Sequence, residues 1–277
     1  VHLDGSLRLS TLIDLARERR VALPSFTEEG LCELAFKSSY RDLNEYLEGF
    51  GWTLKVLQDP EGLEPAAPEP AVDNAAEGVR YRGIRFAPQL HMSASMSFER
   101  VLRAVTTGLA RARAEVNRSL SPDEPAFDYG IIVCAMRFFT EGFSEYYRGL
   151  YRTLAFSTAQ EVIRAASLEL AKAAVRLRQS TDIQLVGFDL AGSEYGYPAS
   201  AHEESYDYVH RNFMRKTVHA GEAYGPESIF QAVAKLHADR IGHGLHLFDE
   251  QMIYSGSVQD KRAYIENLAN YIAENRI

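Results

Sequence analysis

His219 and Glu222 stand three residues apart in Lys216-Thr217-Val218-His219-Ala220-Gly221-Glu222, where a short apolar run gives way to a helix start. A strand that ends in His and is followed at once by Ala-Gly-Glu delivers an imidazole and a carboxyl group into one cleft at the strand's C-terminal end. Parallel α/β proteins build their active sites there. Such a pair can move protons or help hold a metal ion. Taken alone, the segment equally fits a structural histidine followed by an acidic first helical turn. Other candidates also fall just after apolar runs: His2 and Asp4, then Asp189 and Gly192, then His243 within Arg240-Ile241-Gly242-His243-Gly244. Three imidazoles with carboxylates at converging strand ends suit zinc or a related metal better than calcium or magnesium. Such an ion lowers the pKa of a bound water towards neutrality. Plainer readings stand beside these. His243 between glycines fits a turn, Asp4-Gly5 is a common turn pair, and Asp189 fits a cap on a backbone amide. His91, His202, His210, His237 and His246 lack a carboxylate at suggestive spacing and are assigned to structure or solvent.

The elements that must position these residues alternate between short β-branched runs and long amphipathic patterns, the signature of βα units around a parallel sheet. Six strands are predicted: Val1–Leu3, Val79–Phe86, Tyr129–Met136, Ile183–Phe188, Thr217–His219 and Arg240–Ile241. Helices are predicted over Thr11–Arg20 with Ser10 as its cap, and over Thr27–Phe36, Tyr40–Leu57, Ser97–Asn117, Ser157–Arg178, His202–Phe213, Pro226–Leu236 and Gln259–Glu274. Val101, Leu102, Val105 and Leu109 recur at helical spacing behind Ser97. Pro65, Pro68 and Pro70 predict a kinked or partly unwound segment. A closed barrel of eight βα units typically needs about 250 residues, so six strands leave two missing. An open doubly wound sheet also fits the pattern, though it more often carries a Gly-rich phosphate loop after its first strand, and none is present.

The 277 residues carry 30 basic and 38 acidic side chains, a formal net charge of -8, with 46% hydrophobic residues. That balance describes a globular protein with a deep core and no basic footprint for nucleic acid, which favours a small-molecule partner. Cys32 and Cys134 are far apart in apolar surroundings, so they are expected to be buried free thiols in a reducing compartment, with the cytoplasm as the default location. No apolar run approaches the roughly 18 residues that cross a bilayer, so no membrane partner is expected. The first residue is not Met and the last residues fall inside a helical pattern, so both ends look cut.

Four segments together resemble signature blocks of the adenosine deaminase family: His2-Leu3-Asp4-Gly5-Ser6, Gly187-Phe188-Asp189-Leu190-Ala191-Gly192-Ser193-Glu194, Val218-His219-Ala220-Gly221-Glu222 and Arg240-Ile241-Gly242-His243-Gly244. Arg85-Phe86-Ala87-Pro88-Gln89-Leu90 also resembles that family. The resemblance implies an α/β fold, a TIM-type (β/α)8 barrel of the metal-dependent hydrolase kind lacking its last strands, as one incomplete domain over residues 1–277. It implies one zinc ion, with His2 as the second histidine of an HxH pair and His219 as a further ligand. Glu222 then corresponds to the acid that protonates N1 of the purine, and His243 to the base that accepts or orients the proton of the attacking water. Asp4 corresponds to a contact to a ribose hydroxyl, and Gly192 to a backbone contact at the purine edge. The implied reaction is hydrolytic deamination of adenosine or 2'-deoxyadenosine to the inosine product and ammonia. Adenine or aminofutalosine as substrate, and an inactive nucleoside-binding fragment, are the alternatives. The first histidine of the HxH pair and the family's Asp-Asp pair are absent, so this chain is expected to be a fragment supplying two of four zinc ligands, with weak metal affinity. The H-x-E and P-C-x-x-C pattern of the cytidine deaminase class is excluded by two isolated cysteines.

Overall fold

The structure, a computed structural model, describes residues 1–277. In chain order its regular elements are α1 (Leu9–Arg19), α2 (Glu28–Leu34), α3 (Leu43–Glu48), α4 (Phe50–Val56), α5 (Pro60–Ala66), α6 (Pro68–Ala76), β1 (Tyr81–Phe86), α7 (Phe98–Ser119), β2 (Asp128–Met136), α8 (Glu145–Thr153), α9 (Ala159–Ser180), β3 (Leu185–Ala191), α10 (Glu203–Arg211), β4 (Arg215–Ala220), α11 (Pro226–Phe230), β5 (Arg240–His243) and α12 (Lys261–Asn275). The residues group into two compact units, one of Val1–Val133, Glu141–Gly149 and Leu177–Leu185, the other of Cys134–Thr140, Leu150–Arg176 and Val186–Ile277.

In the first unit β1 and β2 pair in parallel from Tyr81↔Asp128 to Phe86↔Val133. β2 is buried along nearly its whole length, as its unbroken apolar run requires of a strand covered on both faces. The predicted first strand is reduced to a bridge between His2 and Arg85, with the Leu3 N–H donating to the Arg85 carbonyl at 2.9 Å and the Arg85 N–H to that of Val1 at 2.8 Å. Helix α7 begins where Ser97 accepts the Arg100 N–H, and it buries Val101, Leu102, Val105 and Leu109 against the unit's core. The proline-rich segment splits at Ala67 into α5 and α6, each with a proline in its first turn, as the predicted break requires.

In the second unit β3 pairs in parallel with β4 (Gly187↔Arg215) and β4 with β5 (Thr217↔Arg240 to Ala220↔His243). The end of β2 lies beside β3 here, since the Arg137 N–H donates to the Ala191 carbonyl at 2.8 Å. Tyr206 fastens α10 to this sheet: its ring meets Phe188 edge-on at 5.3 Å, and its hydroxyl donates to the Thr217 carbonyl at 2.7 Å. At the opposite strand ends, the buried Lys216 ammonium and its own N–H both donate to Asp239 Oδ2, at 2.9 and 2.7 Å.

Several expectations are corrected. Ser10 lies inside α1, whose first residue follows Arg8; the Arg8 N–H is taken by Glu69 at 2.8 Å, and Thr11 also donates to Glu69. The helix expected over Tyr40–Leu57 divides at Gly49, a residue of low helix propensity. Cys32 is exposed, because Leu31 faces the core and the next residue turns about 100° away from it. Cys134 is buried as expected. The helix from Pro226 widens after Phe230 into one π turn, Gln231–Lys235. Helix α8 was not anticipated; its aromatic residues and Gly149 give it little local helix signal.

Candidate active site

The second unit brings together His219, Glu222, His243, Asp189 and Gly192, all at or just past the C-terminal ends of β3, β4 and β5. His219 is 6% exposed near the end of β4, and its Nδ1 lies 3.0 Å from Oδ2 of the fully buried Asp189 on neighbouring β3. Asp189 also accepts the Leu190 N–H at 2.9 Å and lies 3.6 Å from the Cys134 thiol, so its carboxylate caps an amide and sits against the histidine ring at once. A carboxylate on Nδ1 sets the ring so that Nε2 is its ligating or reacting nitrogen.

The parallel register places His243 of β5 opposite Ala220, and the two imidazole rings of His219 and His243 lie 5.2 Å apart. His243 and Gly244 both adopt left-handed backbone, with φ of 70° and 66°. Thus His243 is a turn residue whose ring nevertheless joins the candidate site. The turn is held by the Gly244 N–H on the Ala220 carbonyl at 2.9 Å and the His246 N–H on that of Gly221 at 3.1 Å. His243 Nε2 lies 3.5 Å from Glu222 Oε1, with side chains 34% and 23% exposed, so the imidazole–carboxylate pair is reachable by a ligand.

Two glycines make these strand ends possible. Gly221 has φ +74°, and a Cβ there would lie 2.7 Å from Ile229 Cδ1; Gly192 has φ +98°, and a Cβ there would lie 3.1 Å from Met136 Cε. Beneath the site Arg137 is buried, and its guanidinium donates to the Tyr197 carbonyl at 2.7 Å and the His219 carbonyl at 2.6 Å. Burial pulls the Arg137 pKa down, opposed by the charges of Glu194, Tyr206, Asp189 and Glu222. Neither Arg137 nor Glu194, which accepts the amides of the loop after β4, was singled out from the sequence. An arginine closing the apolar run of β2 was a readable anomaly, because buried arginines need partners. Glu194 had no such signal, since its donors lie 27 or more residues away.

In the first unit His2 packs edge-on to Phe50 at 6.2 Å, and Asp4 is buried in a short 3-10 turn over Asp4–Ser6. Burial raises the Asp4 carboxyl to about 6, offset in part by the Asp4 and Gly5 amides. The five remaining histidines play other parts. His91 and His202 are buried, His210 and His237 stack at 4.9 Å, and His246 lies 3.7 Å from Asp249. No group of three or more His, Cys, Asp or Glu side chains is arranged to hold a metal ion. The residues present therefore do not make a metal site by themselves.

Sequentially ordered parallel strands joined by helices, with ionisable side chains gathered at their C-terminal ends, define the class: a TIM-type βα barrel fold lacking its last strands. A solved adenine deaminase from Arthrobacter aurescens matches it with a TM-score of 0.69 at 23% identity, covering 89% of this chain and 63% of that one. A zinc-bound amidohydrolase from Burkhoderia ambifaria matches at 0.66 and 17%, covering 90% and 58%. An Arabidopsis protein named ADAL, complexed with IMP, matches at 0.65 and 24%, covering 97% and 67%. The sequence model for adenosine deaminase matches residues 1–277, and an adenosine deaminase of Mycolicibacterium vanbaalenii is 35% identical over 278 residues, 100% of this chain and 67% of that protein. The chain belongs to the adenosine deaminase family, and so to the aminohydrolases. It spans about two thirds of the length of that relative.

Proposed function

We propose that the protein carrying this chain catalyses zinc-dependent hydrolytic deamination of adenosine and 2'-deoxyadenosine, releasing ammonia and the corresponding inosine nucleoside. The observation that carries the reading is the Glu222–His243 pair at 3.5 Å beside the His219 ring. Deamination at C6 needs a group that protonates ring nitrogen N1 as water adds, because an aromatic ring accepts a nucleophile only when the developing negative charge is taken up. Glu222 is assigned that proton, delivered from its carboxyl to N1. His243 is assigned the proton of the adding water, which it passes to the departing amino group so that ammonia leaves neutral, while the proton left on the C6 hydroxyl returns to Glu222 as the carbonyl forms. Asp189 lies against the His219 ring at 3.0 Å, and Gly192 is assigned a backbone contact at the edge of the base. Asp4 is assigned to a ribose hydroxyl.

His2 and His219 are assigned to zinc, one ion per protein, with the other ligands outside these residues. When bound, the ion would supply an activated water near neutral pH. The zinc-bound amidohydrolase and the IMP-bound ADAL support the choice of metal and of a small purine ligand. A cytoplasmic location and a small-molecule substrate, with no membrane or nucleic-acid partner, belong to this reading; no helix is long and apolar enough to cross a membrane. The test is ammonia release by the full-length protein from adenosine, 2'-deoxyadenosine, adenine and aminofutalosine. Preference for the first two supports the reading, and preference for either of the others overturns the substrate assignment.

A further inference from the structure

Glu194 lies two residues beyond Gly192, 5% exposed, and each of its contacts is with a donor. Oε1 accepts the Gly221 N–H at 2.8 Å and the Ser228 hydroxyl, while Oε2 accepts the N–H groups of Glu222 at 3.0 Å, Ala223 at 2.7 Å and Tyr224 at 3.0 Å. Four consecutive amides thus converge on one carboxylate, and the Ser228 hydroxyl of α11 joins them. Consecutive N–H groups point to one place only when the backbone folds into a concave nest, and a nest attracts an anion. Left-handed Gly221 begins this nest. In this protein the anion is a side chain brought from the end of β3.

The consequence falls on Glu222. Its amide is tied to Oε2, and so are the amides of the next two residues, so the peptide planes on both sides of its Cα are fixed together. Fixing them sets the direction in which the Glu222 side chain leaves the loop, towards His243. We infer that Glu194 is a positioning residue for the deamination step: its carboxylate, seated in the 221–224 nest, holds Glu222 in the orientation from which it delivers its proton. The inference rests on the reading of Glu222 as the acid. Gln at 194 has the same size but offers an amide NH₂ where one carboxylate oxygen received donors, so the nest must open on at least one side.

The test uses the full-length protein as wild type, Glu194→Gln, Glu222→Gln and the double variant, with adenosine turnover, inosine binding by calorimetry and thermal unfolding measured for each. Displacement of a catalytic group by about 1 Å costs on the order of 100-fold. Glu194→Gln is therefore expected to lower kcat about 10- to 100-fold, with KM and inosine affinity within about threefold of wild type. The double variant is expected to be no slower than Glu222→Gln alone, because a residue acting through another adds nothing once that other is gone. Two results overturn the inference while leaving the functional reading intact: a Glu194→Gln kcat within about threefold of wild type beside an inactive Glu222→Gln, or losses that multiply in the double variant. If Glu194→Gln does not fold, Ser228→Ala removes one donor and keeps the nest. It is expected to lower kcat about fivefold, again without adding to Glu222→Gln, and additive losses there overturn the inference equally. An inert wild-type protein, or a Glu222→Gln variant as active as wild type, overturns the functional reading itself.

Discussion

Replacing Gly221 by Ala tests the backbone that presents the Glu222 carboxylate. The new Cβ would sit 2.7 Å from Ile229 Cδ1, 3.0 Å from Ile229 Cγ1 and 3.2 Å from Gly244 Cα, at a residue whose φ is +74°. The left-handed conformation costs an alanine about 1–2 kcal/mol. Overpacking of this kind costs about 1–3 kcal/mol more, because Gly244 is backbone and cannot swing aside. Restriction of the unfolded chain returns about 0.4–1 kcal/mol. The net expectation is a loss of about 2–4 kcal/mol. The steric part can be separated from the backbone part, since Ile229→Val removes the Cδ1 atom that makes the closest contact. Urea unfolding of Gly221→Ala, Ile229→Val and the double variant should show a favourable coupling of about 1 kcal/mol, with the backbone cost remaining. A Gly221→Ala loss below about 0.5 kcal/mol, or simple additivity with Ile229→Val, would refute the reasoning.

Other outcomes follow from the same structure. Asp239→Asn strands the buried Lys216 ammonium and should destabilise the protein by about 3–5 kcal/mol in urea unfolding, with Lys216→Met restoring most of the loss in the double variant; no recovery would count against the pairing. His91 is fully buried, and burial pushes its pKa from 6.5 down to about 4 despite the Leu57 carbonyl on its ring. The unfolded chain therefore binds the extra proton first, and stability should fall as the pH drops from about 6.5 to about 4, by about 3 kcal/mol for this residue. His202, lowered to about 3 chiefly by burial, acts in the same direction. A flat stability profile across that window would contradict both. On the proposed assignment of His219 to zinc, His219→Ala should lower the zinc content of the full-length protein, measured by atomic absorption, and zinc content that survives the change would show that His219 is not a ligand.

Much of the architecture was legible because burial on both faces of a parallel strand writes itself as an unbroken apolar run, as in Tyr129–Met136, and because Ser97 announces the helix behind it. Strand β5 was barely legible. Four residues ending in Gly-His have too little apolar length, and only the register with β4 reveals them as a strand. His219, Glu222 and His243 were found as residue types following apolar runs, a local signal. Glu194 and Arg137 were not, because their partners are carbonyls and amides from segments remote in sequence, and backbone groups leave no trace in side-chain spacing. Cys32 misled for a related reason: an apolar neighbourhood in sequence becomes two faces once the helix forms.

The measurement closest to the central claim is the turnover of Glu222→Gln in the full-length protein, with zinc content and inosine affinity determined on the same sample. Removal of a general acid costs about 10²–10⁴ in rate, so kcat for adenosine should fall by that factor while metal and nucleoside binding stay near wild type. Turnover equal to wild type, with the same metal content and binding, would contradict the assignment of Glu222 as the acid and the reading of the site built upon it.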